Sequence, residues 1–340
     1  MEVFSIPENP VPEGAILVGL TTSDGANLRA VRWAAAGQPR GTVVVLTGRA
    51  EFIEKYFETI AELLARGFAV VALDWRGQGL SERQLRNRRK GHIDDFEVYE
   101  RDLAALREQV LEALCPRPWF ALGHCMAAAI LLQQARVGRS PFARIVVTSP
   151  MIDLYRVRFK AGARIFVEGL DILGLGGAFV PGGRGRSAFL QPFSETVMTS
   201  DAARHARTAA ILKAAPQLGV GDPTIGWTNA AFRAMQQFED ADYPRRTLTP
   251  ILVIAAGADR VVATPVIELF GSRLKAGRFI TLPYARHDIL AERDHFRSQF
   301  WAAFDAFIPG VEDKLAMSLT ALQTPRRKRR FWPWASAVTS

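Results

Sequence analysis

A disulfide framework is the first thing this chain lacks: among 340 residues only Cys115 and Cys125 are cysteines, too few to staple a secreted scaffold. The opening Met1-Glu2-Val3-Phe4 has neither the basic nor the apolar region of a secretory leader, so a reducing, cytoplasmic location is the expectation. Long apolar runs are also missing. The stretch from Ile165 to Val180 is broken by Glu168, Asp171 and several glycines, which excludes the roughly 20 apolar residues of a membrane span. No internal repeat occurs, and no cluster of histidine, cysteine and carboxylates has metal-ligand spacing. The Arg76-Gly77-Gln78-Gly79 turn lacks the lysine and hydroxyl of a phosphate-binding P-loop. Neither a metal nor a cofactor is therefore expected.

What is present is a folding composition, with 49% hydrophobic and 23% charged residues. The net charge of +9 points at first to an anionic partner, but five charges lie in Arg326, Arg327, Lys328, Arg329 and Arg330, leaving +4 elsewhere. Nucleic-acid binding by the body of the chain is thus unsupported. The basic run leads into Phe331, Trp332 and Trp334, a pairing of cations with interfacial aromatics that fits either a peripheral contact with an anionic membrane or a solvated terminal extension.

Strand-like and helix-like segments alternate through the first half, the rhythm of a mostly parallel sheet with helices on its faces. Thr42–Leu46, Ala69–Leu73, Trp119–Leu122 and Ile145–Val147 read as buried strands. Apolar positions Ile53, Tyr56, Phe57, Ile60, Leu63 and Leu64 form one helical face, closed by Gly67 as a C-cap. The rhythm fails between residues 151 and 243 and resumes with Ile251–Ile254 and Phe279–Leu282. The simplest division is an α/β core of residues 1–150 and 244–312, an inserted cap over 151–243, and a C-terminal helix and basic-aromatic tail over 313–340.

Chemistry concentrates where a strand runs into a helix, at Gly123-His124-Cys125-Met126-Ala127. This is the setting of a nucleophile elbow, usually Gly-x-Ser-x-Gly, here with a thiol for the hydroxyl and alanine for the second glycine. Acyl transfer also needs a base and an acid that orients it. Asp259, in Gly257-Ala258-Asp259, and His287, in Ala285-Arg286-His287, follow later strands in nucleophile, acid, base order, at the sheet edge where α/β proteins place ligands.

With Leu46-Thr47-Gly48-Arg49-Ala50-Glu51, Lys55-Tyr56, Asp74-Trp75-Arg76-Gly77-Gln78-Gly79 and Gly91-His92-Ile93 added to that order, the chain resembles α/β-hydrolases of the monoacylglycerol lipase and bacterial lysophospholipase group. The resemblance spans roughly residues 40 to 295 outside the cap. It implies an α/β-hydrolase fold, a Cys125–His287–Asp259 triad, and an oxyanion hole from the backbone N–H groups of Arg49 and Met126. The implied substrate is a single-chain lipid ester such as a lysophospholipid or monoacylglycerol. Three outcomes stay open at the thiol: hydrolysis, transfer of the acyl group from a thioester to another acceptor, and lipid binding without turnover. Arg156, Arg158, Lys160 and Arg164 in the cap read either as a head-group site or as a solvated charged face.

Overall fold

The computed structural model describes residues 2–157 and 159–308. Strands β1 (Ile16–Thr21), β2 (Asn27–Trp33), β3 (Thr42–Leu46), β4 (Ala69–Asp74), β5 (Trp119–His124), β6 (Arg144–Thr148), β7 (Ile251–Ala256) and β8 (Gly277–Leu282) form one sheet in the order β1-β2-β4-β3-β5-β6-β7-β8. Every pairing from β4 to β8 is parallel, while β1–β2 and β2–β4 are antiparallel. The sequence reading placed no strand before Thr42, because β1 leaves Ile16 and Leu17 partly exposed and carries no buried run. Elsewhere the expected strands recur with ends shifted by one or two residues.

The central strands read as continuous hydrophobic runs because both faces are covered. Val44, Leu46, Ala121, Ile145 and Val253 face α2 (Val98–Leu106), α3 (Met126–Arg136) and α7 (Thr264–Ser272). The alternate positions, Val43, Val45, Leu122, Val146 and Ile254, face α1 (Phe57–Ala65) and α8 (Asp294–Phe307). A period of two along each strand thus feeds two cores. Burying each of these aliphatic side chains contributes about 1.5–3 kcal/mol, which fixes the sheet as the rigid floor beneath the loops at its C-terminal edge.

Between β6 and β7 the chain leaves the sheet and forms α4 (Lys160–Leu170), α5 (Ala202–Ala214) and α6 (Ile225–Gln236). Helix α6 is anchored at its start by the Thr224 side chain, which accepts from Trp227 N–H. Its Trp227, Ala230, Ala231 and Met235 join the core against α2 and α3. Helix α5 belongs to a separate small core, where Ile211 and Leu212 meet Phe52 and Phe189. The outer side of α4 and the turn after it leaves Phe159, Ile165, Phe166, Ile172 and Leu173 exposed. The tail, including Arg326 to Trp334, lies outside the described residues, as does Arg158.

Candidate active site

Strand β5 ends at His124 and α3 begins at Met126, so the whole reversal falls on Cys125, with φ 51° and ψ −108°. A positive φ on a side-chain-bearing residue costs on the order of 1–3 kcal/mol and persists only where the surroundings enforce it. They do so here. Cys125 N–H donates to Thr148 O (3.0 Å), and its carbonyl accepts from the N–H groups of Ala129 (3.2 Å) and Met151 (3.1 Å). Gly123, two residues earlier, allows the close approach of α3, because a Cβ there would lie 3.2 Å from Ala128 N and 3.3 Å from Ala127 C of the helix backbone. Ala127, at the position usually held by glycine, is fully buried in the core without displacing this turn.

The loop after β7 supplies Asp259. Its Oδ1 accepts from Val261 N–H (2.7 Å) and Val262 N–H (3.0 Å), which leaves Oδ2 for His287 Nδ1 at 2.8 Å. Burial pushes the Asp259 carboxyl up, but the imidazole and the two amides outweigh it and hold the group below its ordinary range. Burial likewise pushes His287 down. The charges of the nearby Cys125 sulfur and of Asp259 together raise it well above an ordinary histidine. Ser149 Oγ donates to the His287 carbonyl at 2.7 Å, fixing the histidine loop to the end of β6.

The loop after β3 is held from below. Gly48 N–H donates to Glu51 Oε2 (2.5 Å) and Ala50 N–H to Gln78 Oε1 (3.1 Å), while Gln78 Nε2 donates to Gly48 O (2.7 Å). Trp75 Nε1 donates to Thr47 O at 2.9 Å. The Asp-Trp-Arg-Gly-Gln-Gly turn is therefore a brace for this loop. The N–H groups of Arg49 and Met126 take no acceptor among the described residues, so both remain able to donate to a bound oxygen.

Behind these groups lies a buried ionic cluster that the sequence reading did not assemble. Lys55 Nζ donates to Glu51 Oε1 (2.7 Å) and pairs with Asp288 Oδ2 (2.5 Å), with all three side chains almost fully buried. Tyr56 OH donates to Glu51 Oε2 at 2.5 Å. Glu51, Lys55 and Asp288 each stood beside a recognised motif, but nothing in their spacing shows that Lys55 joins the β3 loop to the histidine loop. Glu51, His124 and Asp288 also bring ligand-type atoms within 4.8 Å of one another. The Lys55 ammonium bridges both carboxylates, which makes the cluster an ion-pair network. His124, whose Nδ1 lies 2.9 Å from Thr148 Oγ1, is pushed down to about 4 by burial and stays neutral near pH 7.

These loops and the segment between β6 and β7 enclose a cavity of about 260 Å³. Cys125, His287 and Arg49 line it, with apolar walls that include Leu154, Phe189, Trp227, Phe232 and Met235. Four of the five expected site residues, Cys125, Asp259, His287 and Arg49, are thus gathered at one place, and Met126 follows Cys125 directly. Of the basic residues between β6 and β7, Lys160 pairs with Asp153, and Arg164 with Glu239. Arg156 stacks on Tyr155 at 5.0 Å, and none of the three lines the cavity. The head-group reading of that basic set is therefore not supported. No described helix is long and apolar enough to cross a membrane.

A match to the family described as Serine aminopeptidase, S33 covers residues 37–294. The chain belongs to that family. Lysophospholipase L2 of Escherichia coli K12 is 31% identical over 82% of this chain and 83% of the relative. Human monoglyceride lipase is 29% identical over 44% of this chain and 45% of the relative. Among solved structures, a soluble variant of monoglyceride lipase from Saccharomyces cerevisiae aligns with TM-score 0.66 and 17% identity, covering 86% of this chain and 96% of that one. A carboxyl esterase from Bacillus coagulans aligns with TM-score 0.67 and 18% identity, covering 88% and 100%. These structures show the α/β-hydrolase fold, and family membership makes the chain an α/β-hydrolase enzyme.

Proposed function

We propose that this enzyme hydrolyses single-chain lipid esters of the lysophospholipid or monoacylglycerol kind through a Cys125–His287–Asp259 triad. The observation that carries the reading is the strained Cys125 turn, which opens on a mostly apolar cavity with the His287–Asp259 pair beside it. In the first half-reaction the Cys125 sulfur attacks the ester carbonyl, and the Arg49 and Met126 N–H groups stabilise the oxyanion. The carbon–oxygen bond breaks, the alcohol leaves with a proton from His287, and a thioester remains. Water then attacks the thioester, giving its proton to His287 and releasing the fatty acid and the thiol. Asp259 holds the ring and stabilises its charged form throughout. The scheme needs no cofactor or metal.

Replacing Cys125 with alanine removes the acyl adduct, and His287→Ala slows acylation by on the order of 1,000-fold or more. Intact-mass analysis with peptide mapping after exposure to esters of several chain lengths reads both. Unchanged acylation in His287→Ala overturns the triad. The thiol favours one second reading, because a thioester passes its acyl group readily to an amine, thiol or alcohol. Product analysis with such acceptors present separates transfer from hydrolysis.

The proposed setting is the cytoplasmic face of a membrane. The exposed apolar residues of the α4 segment support contact with a lipid surface, and the basic-aromatic tail is the second element of this reading. Sedimentation with anionic vesicles, with and without residues 324–340, tests the tail, and equal binding removes it.

A further inference from the structure

Arg49 is a half-buried cation with no carboxylate in ion-pair contact. The deeply buried arginines are matched: Arg29 pairs with Glu54 and Asp74, Arg76 with Asp24 and Asp102, and Arg297 with Glu62. Arg83, which meets no carboxylate, instead donates to three carbonyls, those of Gly79, Ser81 and Arg88. The Arg49 guanidinium makes one hydrogen bond, from Nη2 to Gly221 O at 3.0 Å, and lies over the Trp227 ring at 4.8 Å. Its Nε is buried with no acceptor. Burial pushes it down to about 10, which still leaves it charged at neutral pH.

The guanidinium is thus under-used rather than fully withdrawn from water. Its buried Nε lacks an acceptor, a deficit of about 1–3 kcal/mol, and an anion entering the cavity supplies one. Because Arg49 lines the same cavity as Cys125 and His287, the arriving anion enters with the substrate. A planar guanidinium with most of its five donors unused suits a group offering two oxygens on one centre.

We propose that the Arg49 side chain binds the phosphate of a phosphate-bearing lipid ester, so that the cavity favours a lysophospholipid over a neutral monoacylglycerol. This deepens the ester-hydrolase reading and rests on it. In a single-chain glycerolipid the phosphate is tied to the ester by a three-carbon glycerol, the short reach that one shared cavity requires. Arg49 then has two parts to play: its backbone N–H faces the oxyanion and its side chain faces the head group.

The test uses non-hydrolysable ether lipids of one chain length, a 1-O-alkylglycerol 3-phosphate and the matching 1-O-alkylglycerol, titrated calorimetrically below their aggregation concentrations. The native enzyme is expected to bind the phosphate-bearing lipid about 10- to 100-fold more tightly, the range of charge-assisted hydrogen bonds. Arg49→Gln is expected to abolish the preference and Arg49→Lys to keep part of it. Equal binding of the two lipids by the native enzyme overturns the proposal even if the variants fail to fold, and so does a preference that survives in Arg49→Gln. Tight binding of inorganic phosphate alone, with no gain for the lipid phosphate, also overturns it. Turnover of the corresponding acyl esters separates the two readings. Phosphate preference without cleavage of any ester leaves Arg49 as proposed and removes the hydrolase reading, whereas cleavage without phosphate preference does the reverse.

Discussion

Two cations in the segment after β3, Lys55 in a buried 3-10 turn and the half-buried Arg49 in the loop before it, have opposite surroundings. Lys55 lies beneath the site and is enclosed by Glu51 and Asp288, with Tyr56 completing the Glu51 carboxylate. Arg49 lines the wall of the cavity and faces a carbonyl and an aromatic ring. The first arrangement is closed in the sense that the ammonium has its counter-ions within the protein. The second is open. Lys55 links the loop after β3 to the histidine loop through pairs already made within the protein, whereas the proposed partner of the Arg49 guanidinium comes with the substrate. A folded chain can thus use one residue type of charge for position and another for recognition within a single segment.

The largest expected effect comes from breaking the closed side. Lys55→Met leaves Glu51 and Asp288 as buried carboxylates without their cation, and removing one partner of a buried pair costs about 3–5 kcal/mol. Chemical denaturation at neutral pH measures it, and a loss below about 1 kcal/mol would show that the cluster does not bind the loops together. The pH dependence sharpens the same comparison. Burial alone would raise Glu51, but Lys55 and His124 overcome it and hold the carboxyl at about 2, against an unfolded value of 4.5. Because the folded value is depressed, the stabilisation is complete above 4.5 and is lost as the pH falls through about 2. Without Lys55, burial raises the Glu51 carboxyl above 4.5, and the variant regains stability as that group protonates. The gap between the native enzyme and Lys55→Met is therefore expected to be widest near neutrality and to narrow steadily as the pH falls, through 4.5 and below. A gap that widens in acid would contradict the pairing.

Most of the sheet was legible because strands covered on both faces must be apolar throughout, and β3, β4, β5, β6 and β7 have that pattern. The β1–β2 hairpin was not legible: β1 is an edge that does not require a hydrophobic run, and the buried β2 has its apolar run broken by Arg29 and Arg32. The groups gathered around the thiol were foreseen from local signals: Cys125 from a strand-to-helix turn, and Asp259 and His287 from loops that follow strands. The contrast between Lys55 and Arg49 could not be seen that way. Lys55 meets Asp288 across more than two hundred residues, and Arg49 meets Gly221 and Trp227 from the segment between β6 and β7. Charge compensation depends on which loops converge, and spacing along the chain carries no record of it. Ala127 stands where an elbow usually has glycine, and its methyl is buried in the core while Gly123 makes the close approach to α3.

The open side predicts a smaller effect. Arg49→Met removes one hydrogen bond and the contact with Trp227, together about 2 kcal/mol. It also removes the buried Nε that lacks an acceptor, a cost of about 1–3 kcal/mol, and methionine adapts readily to an apolar wall. The ligand-free variant is therefore expected to lie within about 1 kcal/mol of the native enzyme, even though its neighbour Lys55→Met is much less stable. Denaturation of the two variants side by side, without lipid, reads the difference. Destabilisation of Arg49→Met by as much as Lys55→Met would mean that the guanidinium is already compensated in the free enzyme, and the distinction between a closed and an open cation would fall.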